Sequence, residues 1–171
     1  MELIATFGLA AALLLLLAAS RRATGSGGLT EVVRQHGLLP DRLARQAPLG
    51  TALEAVAGLA VIVAWLAGLS GVLRIAAAVV AGWYLLLAIY LAVLLRKRGP
   101  VPCGCLDDKS PVSRLKVGRA GLLAVASVVL AAGLEAPSGL GFRLLYVVLG
   151  GFVVLLLTTT DQVAELVSGP K

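Results

Sequence analysis

The sequence predicts an all-α, polytopic membrane protein. We read a transmembrane helical bundle of four to five spans, with a short amphipathic interfacial helix after the first. Three observations lead there. First, 59% of the 171 residues are hydrophobic and only 14% are charged, with a mean hydropathy of +0.97. A soluble domain carries about a quarter charged residues, and this chain has too few polar groups to coat a globule. Second, the apolar residues come in long unbroken runs, unlike the short alternating strands of a β-barrel. Third, the cations stand in the polar segments that flank those runs, which is how membrane topology is written. The net charge of +6 is therefore read as topology. No helix-turn-helix or aromatic stacking platform accompanies it, and nucleic acid is excluded as a partner.

Taken in order, the first run is about 3–20, stopped by Arg21 and Arg22. No basic region precedes it and no cleavage site follows it, so it reads as a retained span rather than a signal peptide. It is short, but a bilayer needs only about 17 to 25 residues. In the polar stretch that follows, Leu29, Val32 and Val33 recur at helical spacing, while Gly37 and Pro40 mark a stop. That pattern predicts an amphipathic surface helix over about 29–36. The second run, about 50–69, repeats small residues at Ala60, Ala64 and Gly68, a spacing that admits a neighbouring helix closely. Ser70-Gly71 leaves almost no loop before the third run, about 72–95, where Ala78 and Gly82 repeat that spacing. A polar loop, 96–116, precedes a fourth run at about 117–134, with Ala120 and Ala124 as a contact face. The fifth run is about 142–159, followed by a polar tail. The whole reads as one integral membrane domain over 1–171.

With five spans, the first loop, the 96–116 loop and the tail share one face. Thirteen of the 15 Lys and Arg residues lie there, leaving Arg74 and Arg143 on the other. The positive-inside rule then puts the 96–116 loop in the cytoplasm and the N-terminus outside. Arg74 reads as a snorkelling anchor.

The chemistry of the chain gathers at Cys103-Gly104-Cys105, its only two cysteines. Arg96, Lys97, Arg98, Lys109, Arg114, Lys116 and Arg119 surround the pair in sequence, and cations and a following helix N-terminus favour the thiolate. A disulfide across one residue closes a small ring, and strained, exposed disulfides are the labile, oxidising ones. Gly104 supplies the backbone freedom that the ring requires. A structural disulfide is out of place in a cytoplasmic loop. In the alternative, the two sulfurs, with His36, hold a soft metal. They fall short of a four-coordinate zinc site but suit a linear Cu(I)-like one. As two inert thiols they would do neither.

Glu54 lies about one turn inside the second span, and an ionisable group there is a functional candidate by default. It suits a proton acceptor for a thiol or an ion pair with Arg119. The plainer reading is a carboxylate that reaches the interface. His36, the only histidine, suits thiol deprotonation, metal ligation or the polar side of a surface helix.

A resemblance joins these pieces. The first span ends in basic residues, and a short helix leads into Gly37-Leu38-Leu39-Pro40. Leu53-Glu54-Ala55-Val56-Ala57-Gly58 opens the second span. Cys103-Gly104-Cys105 and a Ser113–Arg119 lead-in to the next span complete the order. Together these resemble the methylamine utilisation MauE family of DoxX-like membrane proteins. Two positions depart from the family pattern: Leu106-Asp107 stands where Phe-Gly is common after the cysteines, and Arg119-Ala120 where Arg-Asn is common. The resemblance implies a role beside a thioredoxin-like partner, in maturing a disulfide-rich protein, which for the family's namesake is the small subunit of methylamine dehydrogenase. That partner chemistry is extracytoplasmic in the family, whereas the cation count places the cysteine loop inside.

Three functions are carried forward. In the first, the protein is a thiol–disulfide oxidoreductase in which Cys103 and Cys105 exchange electrons and Glu54 and Arg119 shape the site. Moving electrons across about 30 Å of hydrocarbon would then call for a quinone, another cofactor or a moving element. The second is a soft-metal or small-solute carrier using the cysteine pair. The third is a non-catalytic assembly factor.

Overall fold

The computed structural model describes residues 2–24, 34, 36, 37, 40, 42, 46–101, 111–133 and 139–168. Among them are five helices and no strand: α1 (Glu2–Thr24), α2 (Ala47–Ala67), α3 (Ser70–Arg98), α4 (Arg114–Ala131) and α5 (Leu140–Ser168). Arg34, His36 and Arg42 are also helical. Four of the five, α1, α2, α3 and α5, are long and apolar enough to cross a bilayer. The fourth, α4, carries Arg114, Lys116 and Arg119 in its 18 residues, so its apolar part is shorter. This is the build of a multi-pass membrane protein.

Local sequence explains where the helices begin and end. Pro48 sits in the first turn of α2, where its missing N–H costs nothing. Gly68 ends α2 in the left-handed region at φ 72, and the amides of Gly68 and Leu69 close onto the Trp65 and Ala64 carbonyls. Only glycine adopts that backbone cheaply, and the turn makes α2 and α3 a tight hairpin. Ser113 caps α4, its side chain accepting from the Lys116 amide at 3.3 Å.

Contacts between helices fix their directions. Gly58 of α2 faces Ala12 and Leu16 of α1, Gly8 of α1 faces Ala126 and Leu130 of α4, and Gly150 of α5 faces Leu9, Ala10 and Leu13. Trp65, near the end of α2, meets Tyr146, near the start of α5. The five helices therefore alternate in direction. One end of the bundle gathers the end of α1, the start of α2, the end of α3, the start of α4 and the end of α5. We call it the loop end.

The core is built on α1. Of its apolar window, 56% is buried, against 11% for α5, and Leu9, Ala10, Ala11 and Ala12 are wholly enclosed. The run of alanines lets three helices close on it. At Gly58 a Cβ would lie 2.8 Å from the Ala12 carbonyl oxygen, so the tightest α1–α2 contact needs a glycine. The expected small-residue face of α2 is partly realised: Ala64 is buried and Ala60 half-buried, while Gly68 is exposed. Ala120 and Ala124 are buried as well. The Ala78–Gly82 face of α3 differs from expectation. Ala78 is exposed and nothing lies within 4 Å of a Cβ at Gly82. Its neighbours take the opposite face instead, through Leu73, Ala77, Val80 and Tyr84.

Away from the loop end, two arginines close helix termini. Arg143 Nη1 donates to the Leu66 carbonyl at 3.1 Å. The Arg74 guanidinium lies against Gly133, just past α4. Helix C-termini present unpaired carbonyls and the negative end of the dipole, which a cation complements.

Candidate functional site

The loop end carries a second, smaller core. Leu91, Leu94 and Val112 are buried there, with Tyr90, Val101 and Val117 packed around them. It forms because α3, at 29 residues, runs about 43 Å and outreaches the roughly 30 Å of hydrocarbon. Gly99, at φ 76, closes α3 with its amide on the Leu95 carbonyl. The Val112 amide then donates to the Val101 carbonyl at 2.8 Å. That bond brings together the two ends of the segment containing Cys103 and Cys105. The cysteines themselves lie outside the described residues. Of the described cations around this foot, Arg96, Lys97, Arg98 and Arg114 are exposed, whereas Lys116 is buried.

The residues after α1 dock beside the same foot. His36 is buried, and its Nδ1 lies 2.7 Å from the Tyr90 hydroxyl. Gly37, at φ 61, ends the turn with its amide on the Arg34 carbonyl, and a Cβ there would meet the Arg98 guanidinium. Most of the expected interfacial helix, 29–36, lies outside the described residues. Within it, Arg34 and His36 are helical and Gly37 is in a turn.

A polar group sits deeper in the bundle. Glu54 is buried about 10 Å along α2 from Ala47. Arg22 Nη1, at the end of α1, lies 2.7 Å from Glu54 Oε2. Trp83 Nε1 donates to Oε1 at 2.7 Å. The Arg22 contact is a short ion pair, and Arg22 Nε is buried without a partner. The cation on Glu54 is thus Arg22, where the sequence suggested Arg119. Arg119 Nη1 instead donates to the Leu157 carbonyl of α5 at 3.1 Å, tying α4 to α5. Tyr84, within electrostatic reach of Glu54, Arg119 and Arg22, donates to the Ala11 carbonyl of α1 at 3.0 Å. About 24 Å of α3 separates Trp83 from Gly99. The polar group and the foot of the cysteine loop are therefore two tiers of one end.

Residues 1–133 match the family model described as methylamine utilisation protein MauE. The chain belongs to the MauE family. No curated protein and no solved structure matches it. The matched stretch covers α1 to α4. It thus contains both tiers, including the cysteine pair, while α5 lies outside it.

Within this MauE-family bundle, four residues of the site were missed by sequence reasoning: Arg22, Trp83, Tyr84 and Tyr90. Arg22 reads in sequence only as the stop of a span, and no motif marks the three aromatics. Their partners stand on other helices, so no local spacing announces them.

Proposed function

We propose that this MauE-family protein is a membrane thiol–disulfide oxidoreductase in which Cys103 and Cys105 exchange with a thioredoxin-like partner. The observation that carries the proposal is the pinned foot, Val112 to Val101 at 2.8 Å, set on its own small core among exposed cations. A pair one residue apart suits exchange with a docking protein, and nearby cations favour the cysteine that leaves as thiolate. In the exchange, a partner thiolate attacks the Cys103–Cys105 disulfide, one cysteine leaves as thiolate, and the second partner thiol resolves the mixed disulfide. The partner leaves oxidised and this pair leaves reduced. Re-oxidation needs a two-electron acceptor, and a membrane quinone is the class that suits a pair at the bilayer edge. Glu54 and Arg119 belong to the deeper tier and hold the helices that carry the loop. The cation asymmetry favours a cytoplasmic loop end, with the N-terminus outside.

The test is trapping. A Cys105→Ser chain in native membranes, quenched with acid and resolved without reductant, is expected to carry a thioredoxin-like protein bound through Cys103 and released by dithiothreitol. If neither single-cysteine variant traps a partner while the double serine variant still supports maturation of the partner's substrate, the protein is an assembly factor instead. Loss of soft-metal uptake in the double variant would make it a carrier.

A further inference from the structure

His36 has no part in the exchange just described, yet it is buried at the loop end and engaged across the fold. Its Nδ1 meets the Tyr90 hydroxyl at 2.7 Å, with the two rings tilted at 42°. Tyr90 is not a free surface residue. It packs against the cluster formed by Leu91, Leu94 and Val112, and Val112 carries the amide that pins the cysteine loop to Val101. One residue beyond His36, Gly37 abuts the guanidinium of Arg98, in the last turn of α3. The chain after α1 thus meets the side chains of two α3 residues that stand eight positions, or about 12 Å, apart along the helix. Those two residues flank the segment of α3 that carries Leu91 and Leu94. A strut fixed at both ends of a helical segment restrains what is packed on that segment.

We propose that the turn at Arg34–Gly37 is a brace for the foot of the cysteine loop, with His36 as a positioning residue acting through Tyr90. The brace holds the Val101–Val112 closure shut and so sets how readily the thiols of Cys103 and Cys105 are reached. The link to the thiols rests on the proposed redox role; the brace itself does not.

The test uses the full chain in nanodiscs and reads two quantities. Hydrogen exchange of the Val112 amide reports the closure, and alkylation by a neutral maleimide after reduction reports the thiols. Tyr90→Phe keeps the packing and removes only the hydroxyl, while His36→Ala removes the other partner. Tyr90→Phe is expected to speed Val112 exchange about fivefold, the worth of one ordinary hydrogen bond, and His36→Ala by at least as much. The double variant should exchange no faster than His36→Ala alone. Amides at Leu9–Ala12 of α1 should not change. His36→Asn, which places a polar atom near the Nδ1 position, should restore protection. Alkylation should rise with exchange in the same variants. Unchanged Val112 exchange in both single variants would overturn the brace. Faster exchange with unchanged alkylation would overturn its action on the cysteines. A pair that proves redox-inert would sink the proposed function yet leave the exchange result standing.

Discussion

Replacing Glu54 alone should harm this protein more than replacing Glu54 and Arg22 together. The carboxylate is buried, with one oxygen 2.7 Å from Arg22 and the other accepting from Trp83 at 2.7 Å. Glu54→Gln keeps an acceptor for Trp83 but leaves the Arg22 guanidinium, 11% exposed, without its counter-charge. Breaking a buried pair by removing one partner costs about 3–5 kcal/mol, because a lone charge stays behind. Glu54→Ala should cost about 1 kcal/mol more, since Trp83 also loses its acceptor. The double variant Arg22→Met, Glu54→Gln leaves no charge and retains the Trp83 bond. Replacing a whole buried pair by apolar groups is often near neutral, so the double should recover most of the loss. The assay is unfolding in one fixed detergent, with the wild type, Glu54→Gln, Arg22→Met and the double variant compared as a double-mutant cycle. A coupling energy of about 2 kcal/mol or more is expected. Additive losses, with the double variant as unstable as the sum of the singles, would refute the idea that charge compensation holds the pair.

Two further outcomes follow from packing and charge. Gly58→Ala should destabilise the bundle by about 1–3 kcal/mol, because its Cβ meets the Ala12 carbonyl at 2.8 Å. Gly82→Ala, in open space, should be neutral or stabilise by up to about 1 kcal/mol; unfolding midpoints of the two variants check the contrast. Because α5 ends at the loop end, a reporter fused to the C-terminus and the thiols of Cys103 and Cys105 should lie on one side of the membrane. An impermeant maleimide on intact cells should leave the thiols unlabelled, and labelling there would overturn the cytoplasmic assignment.

The helices were legible because each carries its own signal. Apolar runs longer than a bilayer's requirement, Pro48 and Gly68 at the ends of α2 and Ser113 before α4 are all local marks. The arrangement around α1 was harder to read. Nothing in a run of leucines and alanines says that it will be the centre, and only the contacts at Gly58, Gly8 and Gly150 reveal it. The small-residue spacing of Ala78 and Gly82 misled, because spacing states that a helix can approach and not that one does. Glu54 stood out as a charge inside a span. Its partner did not, because Arg22 is 32 positions away in the chain and doubles as the stop of α1. His36 was visible as the only histidine, but its hydrogen bond to Tyr90 spans 54 positions and follows no pattern of residues.

The claim on which the proposed function stands is that Cys103 and Cys105 form a reversible two-electron couple. The direct measurement equilibrates membranes in a series of glutathione buffers, quenches them with acid and counts alkylated thiols by mass. The expected result is a single transition in which both cysteines gain or lose label together, at a potential more oxidising than the roughly −300 mV below which structural disulfides sit. Two thiols labelled in every buffer, or labelled independently of each other, would contradict it.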